Sequence, residues 1–417
     1  MGMTRDLAAT LDGARIAARL DALWDIARSP GGGADRPAYS PAEADGMRLV
    51  ARWATEVGLE PALDRHGNLW ALPRGDGPLV TSGSHVDTVP NGGRHDGALG
   101  TVLALEAAAA LRGGTPAGAH MAVLVCAAEE APRFGAGTVG SRALTGAIGD
   151  GDLAEMIDAA GVTAAEARDG FLAGLSDLPR LADPPLRRVR AHVEVHIEPR
   201  HELRSRGVGL GIVERIAAPH RHEVTVEGRA GHAGEVSMRE RHDALCAAAE
   251  LVLALEAAAR ETAAAGAPQT VATTGVLGVS PGAISVIPAR VTAGMEVRST
   301  DAAAIADVEA ALDRACAGVE ARRGVRVTRR LLRGGDPISL DAALAHAALE
   351  AARRRGIPAA PTWSGAGHDS GHLAALTAAA LLFVPLAGGE SHSPDEAADA
   401  DEILAAGRVL VDVLAAA

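Results

Sequence analysis

The sequence predicts an α/β protein: a mostly parallel sheet with helices, interrupted by an inserted α+β domain. Three observations carry this reading. Apolar runs of strand length alternate with helical patterns through the first two hundred residues, as in βαβ units. Acidic and imidazole side chains fall where several of those runs end. From about Ile212 to Leu331 the order changes to strand, helix, strand, strand, helix, strand. The boundaries that follow are 1–211 with 332–417 for the main domain and 212–331 for the insert.

The elements follow in order. "SPGGGADRPAYSPAEAD" reads as a Gly/Pro-rich loop, and "AEADGMRLVARWATEVG" places Met47, Leu49, Val50 and Trp53 with helical spacing. "GPLVTSGSH" is a short strand running into His85. "GTVLALEAAAALRG" is a helix that Gly113 stops. "AHMAVLVCAAEE" is a continuous apolar strand ending in Glu129 and Glu130, and "RAHVEVHIEP" is another, with His196 near its end. Open α/β sheets put their chemistry at the carboxyl ends of strands. In the insert, "RHEVTVEGRAGHAG" alternates like a strand and is followed by a long amphipathic helix through "LCAAAELVLALEAAAR". "TVATTGVLGVS" and "AISVIPARVTAGMEVRST" form an antiparallel pair; a second helix and the strand "VRVTRRLL" complete a ferredoxin-like order. Two helices, with the strand "AALLFVPL" between them, close the chain.

At 417 residues the chain has room for two or three domains. It is 48% hydrophobic but only 2% aromatic, so its cores must be built from Ala, Leu and Val. The net charge of −13 and the absence of lysine give no basic footprint for nucleic acid. "RRVR" (Arg187–Arg190) and "ARRRG" (Ala352–Gly356) are short enough to be solvated helix ends or loop faces. Cys126, Cys246 and Cys316 lie far apart and form no CxxC pair. They read as free thiols of a reducing compartment, Cys126 in a core strand and the others on helices. The N-terminus lacks a signal-peptide apolar region, and no apolar stretch is long enough to span a bilayer. The expectation is a soluble cytoplasmic protein without a membrane partner.

"GSHVDTVPNGGRHDGALG" (Gly83–Gly100) gathers two histidines, two aspartates and five glycines. Any one of His85, Asp96, Glu129, Glu130, His196 and His392 alone would be ordinary: a polar loop residue, or an acid at a helix N-terminus. As a set at several strand ends, they suit zinc or manganese, with cobalt or nickel also admitted by the donor types. Two histidines, a bridging acid and two further ligands would hold two ions. Such ions, about 3.5–4 Å apart, activate a water and polarise a carbonyl. A free carboxylate must then move the proton to the leaving nitrogen. Adjacent Glu129 and Glu130 suit that division, Glu130 toward the metal and Glu129 toward the water. Asp87 either fixes the imidazole tautomer of His85 or caps a turn. Gly92, Gly93 and Gly97 let the backbone fold tightly enough to bring Asp96 beside His85.

These motifs, with "EEAPRFG", "GSRALTG", "VHIEP", "GRAGHAG", "SGAGHDS" and "ESHSPDE", resemble the M20 metallohydrolases. The resemblance is strongest to the hydantoinase/carbamoylase branch of allantoate amidohydrolases and N-carbamoyl-L-amino-acid hydrolases, and runs from "DRHGN" (Asp64–Asn68) to Glu396. It implies a metallohydrolase catalytic domain with a lid and dimerisation insert. It implies two divalent ions, His85 and His196 each serving one, Asp96 bridging, Glu130 and His392 completing the set, and Glu129 as general base. It further implies a homodimer built through the insert, with His232 reaching a partner's site to stabilise the oxyanion, and Arg298 gripping a substrate carboxylate.

Three departures from the family pattern stand out. Ser285 stands where an asparagine is usual, thirteen residues before Arg298. "HIEPR" replaces "HIEQG", so Pro199 and Arg200 stand for an amide and a glycine; Arg200 either favours a more anionic substrate or faces solvent. His95 takes an aromatic position and reads as a packing substitution. The leading expectation is hydrolysis of a linear N-carbamoyl, ureido or amide C–N bond in a small carboxylate-bearing substrate. Deacylation of N-acyl amino acids, dipeptide cleavage and a catalytically silent dimeric binding protein are the alternatives.

Overall fold

The computed structural model describes residues 6–112, 118 and 120–417. Gly113, the expected helix stop, lies outside the described residues; the helix itself spans Ala98–Leu111. The chain divides into two units, Met1–Glu214 with Ser339–Ala417, and Arg215–Ile338.

The first unit opens with β1 (Glu60–Leu63), β2 (Leu69–Leu72), β3 (Leu79–Ser82), β4 (Met121–Val125), β5 (Val189–Ile197) and β6 (Leu210–Ile216). The chain then builds the second unit from β7 (Ala218–Glu227), β8 (Gly231–His232), β9 (Val271–Ser280), β10 (Val286–Ile287), β11 (Arg290–Ser299) and β12 (Arg326–Arg333). It returns with β13 (Ile338–Ser339), β14 (Ala359–Ser364) and β15 (Ala378–Val384). The large sheet has the order β1-β2-β4-β3-β5-β15-β6-β13, with β14 also on β6. Its centre, β4-β3-β5-β15, is parallel. Toward the edges, β2 pairs antiparallel with β4 and β6 with β15.

The central strands read as unbroken apolar runs because both faces are covered. Every residue of β3 and β4 is buried. The helix Ala98–Leu111 packs on β4 and β5 and is buried almost all round, consistent with its lack of a polar stripe. Gly100 makes this approach possible: a Cβ there would lie 2.1 Å from the carbonyl oxygen of Val195. The helix that begins just after Asp96 is thereby seated against the strand that carries His196.

The second unit is a four-stranded antiparallel sheet, β12-β7-β11-β9, the strand order of a ferredoxin-like βαββαβ unit. Along β11, Val291, Ala293, Met295 and Val297 are buried in strict alternation, the pattern of a sheet with one covered face. Leu251 and Leu255 from helix Ala244–Ala264, and Ile305, Val308 and Leu312 from helix Ala302–Arg323, complete that core. Asp243 and Asp301 cap these helices by accepting N–H bonds in the first turn. The unit boundaries fall a few residues beyond those read from the sequence. The reason is pairing: β6 runs through Ile212 and bonds to β15, and β13 takes its place beside β6.

Cys126 is buried, Cys246 exposed and Cys316 half-buried, all as free thiols; Cys246 and Cys316 lie on the two helices of the second unit. Among the described residues no helix is long and apolar enough to cross a membrane.

Candidate metal centre

Parallel pairing of β3 with β5 (Ser82 beside Val193) and of β3 with β4 brings three strand ends together. His85 extends the β3 register to a bridge with Cys126, just before the loop of Glu129 and Glu130. Asp96 arrives from the glycine-rich loop after His85, and His392 from the segment after β15.

Asp96 is the hub. Its Oδ1 lies 3.1 Å from His196 Nε2 and 3.6 Å from His85 Nε2. Its Oδ2 lies 3.1 Å from His392 Nε2, which in turn is 3.6 Å from Glu130 Oε1. Two groups of ligand atoms result, His85–Asp96–His196 and Asp96–Glu130–His392. His85 and His196 are expected to serve one ion each; in the structure both face the same oxygen of Asp96, their Nε2 atoms 3.4 Å apart. The sheet order places β3 beside β5, so both imidazoles fall on the same side of the hub.

The ring orientations are set from behind. His85 Nδ1 faces the Asp87 carbonyl at 3.1 Å and its carboxylate at 3.4 Å, and His196 Nδ1 faces the Ile197 carbonyl at 2.9 Å. An N–H on Nδ1 leaves each Nε2 as the atom that faces Asp96, able to donate to it when the ring is protonated and to ligate a cation when it is not. Asp87 also accepts the backbone N–H of Glu129 at 3.1 Å and of Glu130 at 2.9 Å, so it does more than orient a ring or cap a turn.

The electrostatics are those of a crowd of buried acids. Burial and neighbouring Asp96 push Glu130 up to about 7. Burial, with Glu130 and Asp369 close by, pushes Glu129 well above the usual carboxylate range. Burial would do the same to Asp96, but hydrogen bonds from His196, His392 and His85 hold it well below that range. The Asp96 bond lifts His392 to about 9. Glu130 Oε1 is buried with no hydrogen-bond partner, and Asp96 Oδ2 faces His392 Nε2 at 3.1 Å; both oxygens belong to the same candidate ligand group. Imidazoles and carboxylates with such oxygens fit divalent cations. Glu129 lies outside both groups, its Oε2 3.8 Å from His85 Nε2.

Several contributors escape the sequence reading. Glu396, buried, accepts the N–H groups of His95 (2.7 Å) and Asp96 (3.1 Å) on one oxygen and so fixes the aspartate loop. Glu194 accepts from Ser84 Oγ at 2.8 Å and from Ser370 N–H at 2.9 Å, and forms a further ligand-type group with His196 and His368. Burial, and His196 beside it, hold His368 down to about 3, as a neutral ring. A signal for Glu194 was present: His192, Glu194 and His196 alternate on one face of β5. His95 is buried, burial and Arg94 hold it down to about 4, and it joins no ligand group.

Arg200 is fixed rather than free. Its guanidinium stacks 4.0 Å over Trp363, donates to the Trp363 carbonyl at 2.9 Å and pairs with Glu202 at 3.0 Å. The remaining expected residues belong to the second unit. His232 is exposed on β8, paired in register with Val286 beside Ser285, whose carbonyl accepts from Ala233 N–H at 2.9 Å. Gly234 N–H donates to His232 Nδ1 at 3.1 Å, which leaves the ring proton on Nε2 as an outward donor. Arg298, on β11, pairs with Glu296, Nε to Oε1 at 2.5 Å and the second nitrogen to Oε2 at 3.2 Å. The second unit also holds His220, His222 and Glu309 as a hydrogen-bonded knot, with Arg329 3.7 Å from the carboxylate.

A parallel-centred sheet that gathers buried imidazoles and carboxylates at its strand ends, with a four-stranded antiparallel unit inserted, is the build of a metallohydrolase. The chain belongs to Peptidase family M20/M25/M40, whose model matches residues 82–416, and to its hydantoinase/carbamoylase amidase branch. It is 35% identical over 392 residues to an N-carbamoyl-L-amino acid amidohydrolase of Geobacillus stearothermophilus, covering 93% of this chain and 94% of that one. It is 32% identical over 399 residues to an allantoate amidohydrolase of Bacillus subtilis, covering 94% of each. A hydantoinase/carbamoylase family amidase from Burkholderia multivorans superposes with a TM-score of 0.84 at 30% identity, covering 97% of this chain and 98% of that one.

Proposed function

We propose that the chain hydrolyses a linear C–N bond, N-carbamoyl, ureido or amide, in a small substrate that bears a carboxylate. The observation that carries this is the division of Asp96: one oxygen toward His85 and His196, the other toward His392 and Glu130, with Glu129 left over. Full-length likeness to carbamoyl and allantoate amidohydrolases supports the bond type.

Two divalent ions, zinc or manganese by donor type, would be held by those five side chains and would supply an activated water and a polarised carbonyl. The chain supplies the rest. Glu129 takes the proton of the attacking water at its carboxylate and delivers it to the leaving nitrogen. His232, with its proton on Nε2, donates to the oxygen where negative charge develops. Arg298 exchanges its pairing with Glu296 for the substrate carboxylate, a bidentate task that suits a planar guanidinium. Ser285 offers its hydroxyl where relatives use an amide. Arg200 engages Trp363 through Nη2 and Glu202 through Nη1, so its effect on selection is to hold the indole in place.

A homodimer through the second unit belongs to the same reading. β9 ends the antiparallel sheet and exposes Val271, Val276 and Leu277, with Leu253 exposed on helix Ala244–Ala264. An open apolar edge strand is an aggregation hazard unless another chain covers it.

The test is a panel of N-carbamoyl amino acids, ureido acids and N-acyl amino acids offered to protein loaded with manganese or zinc, with products identified. Ammonia release from carbamoyl or ureido substrates supports the proposal. Release of organic acids from the acyl panel alone would replace it with deacylation. Tight binding without turnover would leave a silent dimer.

A further inference from the structure

We infer that Glu43 and Asn68, which precede the region matched by the family model, are positioning residues for the loop that carries Glu129 and Glu130. This deepens the proposed reaction and rests on it for the roles of those two glutamates.

Four successive backbone amides in this loop donate to buried side-chain oxygens instead of to a neighbouring strand. Ala127 N–H donates to Asn68 Oδ1 at 3.0 Å and Ala128 N–H to Glu43 Oε1 at 2.9 Å. Glu129 and Glu130 N–H donate to the two oxygens of Asp87. Three side chains from three separate elements therefore dictate the path of the loop. At Ala128 the path is one that a non-glycine residue rarely adopts, with φ at 54°. A strained residue persists only where its surroundings over-determine it, and such places cluster at functional sites.

Both acceptors are themselves locked. Asn68 donates its Nδ2 to Asp64 at 2.9 Å and to the Gly140 carbonyl at 3.2 Å, so its Oδ1 can only face Ala127. Asp64 is held in turn by the N–H groups of His66 and Asn68 and by the Trp70 indole. This gives the "DRHGN" stretch a task. Glu43 lies on helix Pro41–Glu56, and its second oxygen accepts Tyr39 N–H at 2.5 Å. Both carboxylate oxygens therefore act as acceptors, in a side chain with no exposure. The buried Arg36 guanidinium donates to the carbonyls of Val86 and Leu23, and its charge lies close to Glu43 and Asp87. Burying a carboxyl group in this way is a poor means of stabilising a fold: burial and nearby Asp87 push Glu43 well above the usual carboxylate range, and the desolvation cost of such a group can exceed the attraction gained. It is an effective means of fixing where a neighbouring loop must run.

The experiment compares full-length wild type with Glu43→Gln and Asn68→Ala. The readouts are kcat and KM for a substrate the wild type hydrolyses, and calorimetric titration of metal-free protein with Mn2+. Thr163→Ala, which removes the cap of helix Ala164–Gly174, controls for a plain loss of stability. Glu43→Gln keeps the volume but places an amide donor against one of two N–H donors. Each loop variant is expected to lose 10- to 100-fold in kcat with KM within twofold. Each is also expected to weaken one Mn2+ equivalent at least tenfold and leave the other unchanged. Thr163→Ala is expected to melt earlier with kcat and both affinities unchanged. If Asn68→Ala does not fold, Asn68→Ser, which keeps an acceptor, takes its place. Glu43→Gln with kcat within twofold of wild type and both Mn2+ affinities intact would overturn the inference. If wild type turns over nothing, the proposed reaction fails on its own, and the calorimetry still decides the positioning.

Discussion

The imidazole of His85 lies so close over the backbone of Gly97 that a Cβ at Gly97 would sit 2.4 Å from the ring. Gly97 also has φ at 65°, in the region that L side chains avoid. The residue next to the hub aspartate is thus a glycine for two reasons, one steric and one conformational.

Gly97→Ala is therefore expected to displace His85 and Asp96 together. Backbone strain alone costs about 1–3 kcal/mol, and the ring has no space to retreat because it is fully buried. Metal content measured by mass spectrometry should fall below one ion per chain, with activity reduced on the order of a hundredfold or more. Retention of two ions at wild-type affinity would show that the contact does not govern the site.

Glu129→Gln separates chemistry from metal binding. Glu129 belongs to neither ligand group, so the variant should hold wild-type metal while losing about 10²- to 10⁴-fold in kcat, the range for a lost general base. Glu130→Gln should instead lose metal, since its carboxylate belongs to the group around Asp96 and His392. Equal metal contents in the two variants would argue against the division of labour.

How much of this was legible beforehand follows physical lines. Apolar runs ending in His85, Glu129 and His196 marked the sheet and its chemical end, because parallel strands covered on both faces are mostly apolar along their length; His192 and Glu194 inside β5 are exceptions. The order of elements in the insert was equally plain. The grouping of ligands was not. His85 and His196 meet because β3 lies beside β5, and sheet order is a property of the crossovers rather than of any strand. Glu396 reaches across 300 residues to the Asp96 amide, and Glu43 across 85 to Ala128. A single buried acid on an amphipathic helix carries no period and no spacing that would single it out.

The acid crowd also sets a pH dependence for the metal-free protein. Glu130 and Glu396 are raised from ordinary carboxylate values to about 7, both by burial and then by Asp96; Asp369 is raised as far by burial and then by Glu194. His392 is raised to about 9 by its bond to Asp96. A raised acid binds its proton more tightly in the folded state, so folding weakens as pH climbs from the unfolded value of about 4.3 through 7. A raised histidine acts in the same direction between about 6.5 and 9. Below about pH 6.5 the neutral rings of His95 and His368, held down to about 4 and about 3, act in the opposite direction, so metal-free protein should melt progressively earlier from pH 6.5 to pH 9, by roughly 5–10 °C. Protein loaded with Mn2+ or Zn2+ should show a much flatter curve, because a cation replaces the protons. A metal-free melting temperature that rises over this window would contradict the electrostatic picture.

The last expectation concerns His232 and the dimer. If His232 completes the partner's site, Glu129→Gln and His232→Ala damage different halves of one composite site. A twofold dimer formed from one chain of each kind then holds one site with both defects and one with neither. Random re-pairing of equal amounts makes half of the dimers mixed, and each of these carries one intact site of two. Activity should recover to roughly a quarter of wild type after mixed unfolding and refolding, from two parents that are each nearly inactive. Recovery would place His232 across the interface, and its absence, with mixed dimers confirmed by native mass spectrometry, would place it in the site of its own chain. The outward Nε2 donor fixed by Gly234 serves either arrangement, so the mixing experiment and not the local geometry decides between them.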